Sequence, residues 1–104
     1  MKKHEKYIER GDLNGATHLE VSVYYTKGGM SYFTGSTNPH GYYLSVRPVT
    51  KRNGMTSFDL FAGCKKLLLE TARYSAKQFD RAVAISAAFE DELISAVVAE
   101  NMAA

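Results

Sequence analysis

The stretch Leu19-Glu20-Val21-Ser22-Val23-Tyr24-Tyr25-Thr26 decides the reading of this chain. Leu19, Val21, Val23 and Tyr25 point one way and Glu20, Ser22, Tyr24 and Thr26 the other, the alternation of a strand buried on one face. The same two-face pattern returns in Tyr42 to Val49, where Tyr42, Leu44 and Val46 alternate with Tyr43, Ser45 and Arg47. Lys27-Gly28-Gly29-Met30 reads as a two-residue hairpin turn, which would set Tyr25 against Tyr32 and Tyr24 against Phe33. Asn53-Gly54 is a second hairpin signal, returning the chain through Met55 to Phe58. Between the two hairpins, Gly35 to Gly41 is rich in turn formers. Pro48 cannot donate a ladder hydrogen bond and marks a bulge or an edge.

Two helices are expected to follow. Asp59 caps the first in this reading, with Leu60, Cys64, Leu67, Leu68 and Thr71 on one face and Lys66, Glu70 and Arg73 on the other. Gly63 inside it would cost about 1 kcal/mol against alanine and so marks a close backbone contact. Ser75-Ala76-Lys77-Gln78 fits a capping box at the start of the second. Beyond it, Phe79, Ala82, Val83 and Ser86, then Phe89, Leu93, Ala96 and Val97, trace no single straight stripe, which predicts a kink or break near Ser86 to Ala88, with a single curved helix as the alternative. The fold class is therefore α+β: an antiparallel sheet of three or four strands followed by a C-terminal helical hairpin packed on one face.

A chain of 104 residues makes one domain, large enough to bury about two-thirds of its unfolded surface. Residues 1–17 show little periodicity and read as a flexible N-terminal lead-in, leaving 18–104 as the folded domain. A single cysteine, Cys64, allows no internal disulfide and reads as a small buried hydrophobe. After Met1-Lys2-Lys3 no apolar signal region follows, and no run approaches the length of about 20 residues that spans a bilayer. A cytoplasmic protein without membrane contact is expected.

Net charge is +2, unevenly spread. Residues 1–58 carry eight Lys or Arg against four Asp or Glu, whereas residues 82–104 carry Glu90, Asp91, Glu92 and Glu100 and no base. His4, His18, His40 and Cys64 share no zinc-ligand spacing. The glycine-rich turns lack the lysine and helix start of a phosphate loop, and no serine lies in a nucleophile elbow. No catalytic, metal or cofactor site is expected.

The sharper signal is the second face of the sheet, where Tyr24, Phe33, Tyr43 and Arg47 stand among small polar residues with Lys27, Lys51 and Arg52 at the turns. Flat aromatics with basic rims suit single-stranded nucleic acid, on which each stacked base is worth about 1–3 kcal/mol. Tyrosine enrichment is equally typical of protein interfaces, and no motif favours nucleic acid. The expected function is a non-enzymatic protein-interaction or accessory module, with a homodimer expected from this face and the apolar C-terminal helix. A single-stranded nucleic-acid-binding protein is the alternative.

Tyr25 to Gly35 and Gly41 to Val49, together with Phe61 to Leu69, resemble small uncharacterised proteins carried on mobile elements and prophage-like regions of anaerobic gut bacteria. The resemblance covers roughly residues 18 to 80. It implies an accessory role and brings no activity or catalytic residues with it.

Overall fold

The computed structural model describes residues 3–30, 37–58 and 63–103. Its spine is the antiparallel pair of β2 (Ala16–Thr26) and β5 (Gly41–Arg52), in register from His18 opposite Val49 to Thr26 opposite Gly41. This register sets Val21 against Val46 and Val23 against Leu44, so the apolar sets of both strands fall on one face. Val21, Leu44 and Val46 are fully buried there, while Ser22, Ser45 and Arg47, on the other face, are half-buried.

β1 (His4–Leu13) flanks β2 on one side. On the other side β5 is paired by β7 (Cys64–Glu70) along residues 41–46 and by β6 (Met55–Phe58) along residues 49–52. Pro48, expected at a bulge or an edge, falls in the gap between these two partners. There its missing N–H interrupts neither ladder. A separate small ribbon joins β3 (Gly29–Met30) to β4 (Thr37–Asn38).

Two helices, α1 (Ala76–Ser86) and α2 (Glu90–Ala103), lie on the apolar face. Phe79 and Ala82 from α1 and Leu93 and Val97 from α2 close over Leu19, Val21, Val23, Tyr42, Leu44 and Val46. The expected break is present, with turn residues between Ser86 and Glu90. Ser75 caps α1 as the sequence suggests, its Oγ accepting from the Gln78 N–H at 3.1 Å. Glu90, Asp91 and Glu92 fill the first turn of α2, where the helix dipole favours negative charge. Glu90 also pairs with Lys6 of β1.

Four expectations are corrected. The segment read as a flexible lead-in contains strand β1, hydrogen-bonded to β2. The two strands are joined by a two-residue turn in which Asn14 and Gly15 take φ of 51° and 100°. The helix expected from Asp59 is strand β7 over Cys64–Glu70, because β5 offers a second edge whose polar groups need partners. Asp59 and Leu60 lie outside the described residues. The helical hairpin is accordingly formed by α1 and α2, on either side of the expected break, and no helix precedes Ser75 among the described residues. Finally, the Gly28-Gly29 hairpin does not form: Gly28 has φ of 76°, but Gly29 enters β3 opposite Asn38, and β2 takes β5 as its neighbour. Tyr24 and Tyr25 therefore stand opposite Tyr43 and Tyr42, and Tyr32 and Phe33 lie outside the described residues. The close contact expected at Gly63 is real, for a Cβ there would meet the Arg47 Cβ at 3.0 Å and the Val46 carbonyl at 3.3 Å.

One side chain joins the two layers. The Tyr42 hydroxyl donates to the Ser75 carbonyl at 3.0 Å and accepts from the Ser75 N–H at 2.9 Å. Around it, the rings of Tyr25, Tyr42, Tyr74 and Phe79 form a cluster with centroids 5.1 to 6.3 Å apart. Two stability measurements check this core. Leu44→Ala leaves a cavity and should cost about 2–5 kcal/mol in chemical denaturation. Tyr42→Phe keeps the ring but orphans the Ser75 N–H, while the Ser75 carbonyl keeps its helical bond from Phe79, and should cost about 1–3 kcal/mol. An unchanged midpoint in either variant contradicts the packing described.

Candidate functional site

From Glu5 to Glu9 of β1, His18 to Thr26 of β2 and Tyr43 to Lys51 of β5, the pleat sends odd-numbered residues of β1 and β5 and even-numbered residues of β2 to the face without helices. On that face Tyr7 stands opposite Glu20, and Glu20 opposite Arg47. Glu20 is buried, its side chain only 6 % exposed, even though no helix covers it. Its neighbours close over it instead: Arg47 Nε donates to Oε1 at 2.8 Å, and the Tyr7 hydroxyl lies 3.1 Å from Oε2. A desolvated carboxylate needs such partners, and stripping one away would leave an uncompensated buried charge.

Tyr7 is shared three ways. Its hydroxyl also lies 2.8 Å from Glu5 Oε1, and because it carries one proton it serves only one carboxylate at a time. Lys51 Nζ sits 3.5 Å from the centroid of its ring, a cation over the negative π face. The hydrogen bond to Glu5, with burial and then Glu20 adding to it, pushes the phenol up to about 12.

Beside this network opens a cleft of about 530 Å³, lined by Lys3, Glu5, Tyr7, Glu20, Ser22, Tyr24, Ser45 and Arg47 among others. Ser22 and Ser45 stand opposite each other between the Glu20–Arg47 pair and the pair Tyr24 and Tyr43. The two tyrosine rings stack with centroids 5.8 Å apart and planes 18° apart. Tyr24 is 36 % exposed and Tyr43 only 5 %. Burial raises the Tyr24 phenol, with Tyr43 adding and Arg47 opposing. The Tyr43 hydroxyl donates to the Pro39 carbonyl at 2.8 Å.

Of the residues expected on a binding face, Tyr24 and Arg47 line the cleft. Tyr43 supports Tyr24 from a buried position, which corrects its expected role as an open stacking surface. Lys51 packs on Tyr7, while Lys27 and Arg52 are exposed at strand ends and do not line the cleft. Phe33 lies outside the described residues. Sequence reasoning missed Glu20, Tyr7 and Glu5. Glu20 sat in plain view within the β2 alternation, but its depth depends on Tyr7 of a strand that was not anticipated.

Cys64, half-buried on β7, has its thiol pushed up by burial, with Glu100 adding to it. Among the described residues no group of three or more His, Cys, Asp or Glu side chains is placed to hold a metal ion, and no helix is long and apolar enough to cross a membrane. No family model, curated protein or solved structure matches the chain.

The Tyr7 network has a measurable consequence at high pH. A phenol raised above its ordinary value near 10 contributes stability that is complete below that pH and is lost as pH climbs through about 12. A tyrosinate absorbance titration of the folded protein should therefore contain a late contribution near pH 12 that is smaller by one tyrosine in Tyr7→Phe. Identical curves for the two proteins would refute the network.

Proposed function

We propose that this protein is a cytoplasmic, non-enzymatic interaction module that binds a protein surface through the helix-free face of its sheet. The observation that carries the reading is the cleft of about 530 Å³ beside Tyr24, on a sheet face left uncovered by both helices. Its chemistry suits a protein partner. Tyrosine and arginine are the side chains that interfaces favour, and here both are held by their neighbours, so little side-chain freedom is lost on binding. The lining also mixes signs, Lys3 and Arg47 with Glu5 and Glu20, as protein surfaces do. The single cysteine is in keeping with a reducing compartment.

A single-strand platform has less in its favour. Glu5 and Glu20 would oppose phosphates, Arg47 already serves Glu20, and Tyr43 offers little open ring. Only Tyr24 remains as an exposed stacking surface on the β2 and β5 part of this face.

A photo-reactive amino acid placed at Tyr24, compared with one at the exposed Met102 on α2, tests the proposal in cells producing the protein. Cross-links to protein should form from position 24 and not from position 102. The absence of protein cross-links from position 24 would remove the proposal. Salt-sensitive binding of a short single strand, lost in Tyr24→Ala, would move the function to nucleic acid.

A further inference from the structure

The occupant of this face can be read from its rows. In one row Glu5 of β1 stands opposite Ser22 of β2, Ser22 opposite Ser45 of β5, and Ser45 opposite Lys65 of β7. The row thus runs from an acid through two small hydroxyls to a base, with both charged ends exposed. The row on one side of it holds Glu20 opposite Arg47; the row on the other holds Tyr24 opposite Tyr43. Lys65 lies on this same face, its Nζ 5.5 Å from the centroid of the Tyr43 ring.

Consider a second copy turned by half a rotation about an axis parallel to the strands, lying between the two faces and midway between β2 and β5. The operation exchanges β2 with β5 and β1 with β7 while leaving each row at its own level. Glu5 then faces Lys65 of the second copy, the exposed Tyr24 lies over the row that holds the buried Tyr43, the half-buried Arg47 lies over the row that holds the buried Glu20, and the serines face each other. All three rows are matched by one operation. We propose that the helix-free face is a two-fold interface between two copies of this chain, resting on the reading of that face as a protein-binding surface.

Isologous interfaces require a patch complementary to itself, and three adjacent rows meet that condition together. The serines keep the centre of the face low, which suits two sheets packed about 10 Å apart, and the long Glu5 and Lys65 side chains reach across at the rims. The Glu20–Arg47 pair of one copy, its charges balanced within the chain, lies over the same pair of the other, with Arg47 the more exposed member. A mixed-sign face of this order answers a second copy better than a polyanion, for which Glu5 and Glu20 are placed wrongly.

Charge reversal tests the interface on the full chain. In sedimentation equilibrium the wild type should self-associate. Glu5→Lys and Lys65→Glu should each weaken association by about tenfold, since each reversal acts twice across the axis. The double variant should recover most of the loss, because its rim pairs are again opposite in sign. Circular dichroism should show all four proteins equally folded. A wild type that stays monomeric at high micromolar concentration overturns the proposal, as does self-association indifferent to the single reversals or a double variant no tighter than the singles. If the protein is monomeric yet position 24 cross-links to a different protein, the interaction-module reading stands and the second copy is excluded. If neither is seen, both fall.

Discussion

The hydroxyl of Tyr42 is the point on which the two layers depend. It occupies both the N–H and the C=O of Ser75, so the residue that begins α1 is held against the central strand by its backbone while its own Oγ caps the helix. The Ser75 carbonyl also accepts the first helical hydrogen bond, from the Phe79 N–H at 2.9 Å. Helix start, helix position and strand β5 are thereby fixed in one small volume. Phe79 is delivered onto the Tyr42 ring and Ala82 beyond it onto the sheet, and α2 packs over the remaining apolar surface. Such a two-way hydrogen bond stabilises modestly in itself, but leaving buried backbone groups unpaired is expensive, so the arrangement has little freedom to slide.

β5 earns its central place through composition. It is the longest strand among the described residues, Gly41–Arg52, and it must be acceptable on two edges and two faces at once. Gly41, at φ of 156°, lies where a Cβ would run into the Leu69 carbonyl at 2.3 Å, so the close approach of β7 requires a residue without a side chain. Pro48 divides the far edge between two partners, and Asn53 and Gly54, with φ of 53° and 77°, turn the chain back to form one of them. Small, imino and left-handed residues thus sit where the geometry uses each.

How much could be read beforehand follows from these particulars. The faces of β2 and β5 were legible because their apolar sets alternate strictly, and the start of α1 and the break after Ser86 had explicit signals. β7 was not, since Cys64, Leu67 and Leu68 satisfy a helical stripe, and the register shift opposite Tyr42 and Tyr43 blurs the strand period. β1 was hidden by its charges: among its first seven residues, His4 to Arg10, only Tyr7 and Ile8 are aromatic or aliphatic, although Asn14-Gly15 announced the turn that follows. The candidate site inherited these gaps. Tyr24 and Arg47 come from strands that were recognised, whereas Tyr7, which completes the enclosure of Glu20, comes from the one that was not.

The charges that hid β1 bear on the sheet's behaviour at its margin. No strand among the described residues pairs with the far side of β1, so its backbone could template growth of the sheet by another chain. Antiparallel pairing of β1 with a copy of itself centred on Tyr7 would set Glu5 directly against Glu9 on both sides of the centre. Shifting the centre to Lys6 sets that lysine against its own image. Either register places like charges opposite one another, which weakens cross-strand pairing. The strand is therefore fit to end the sheet and poorly fit to extend it, a built-in resistance to fibrillar stacking.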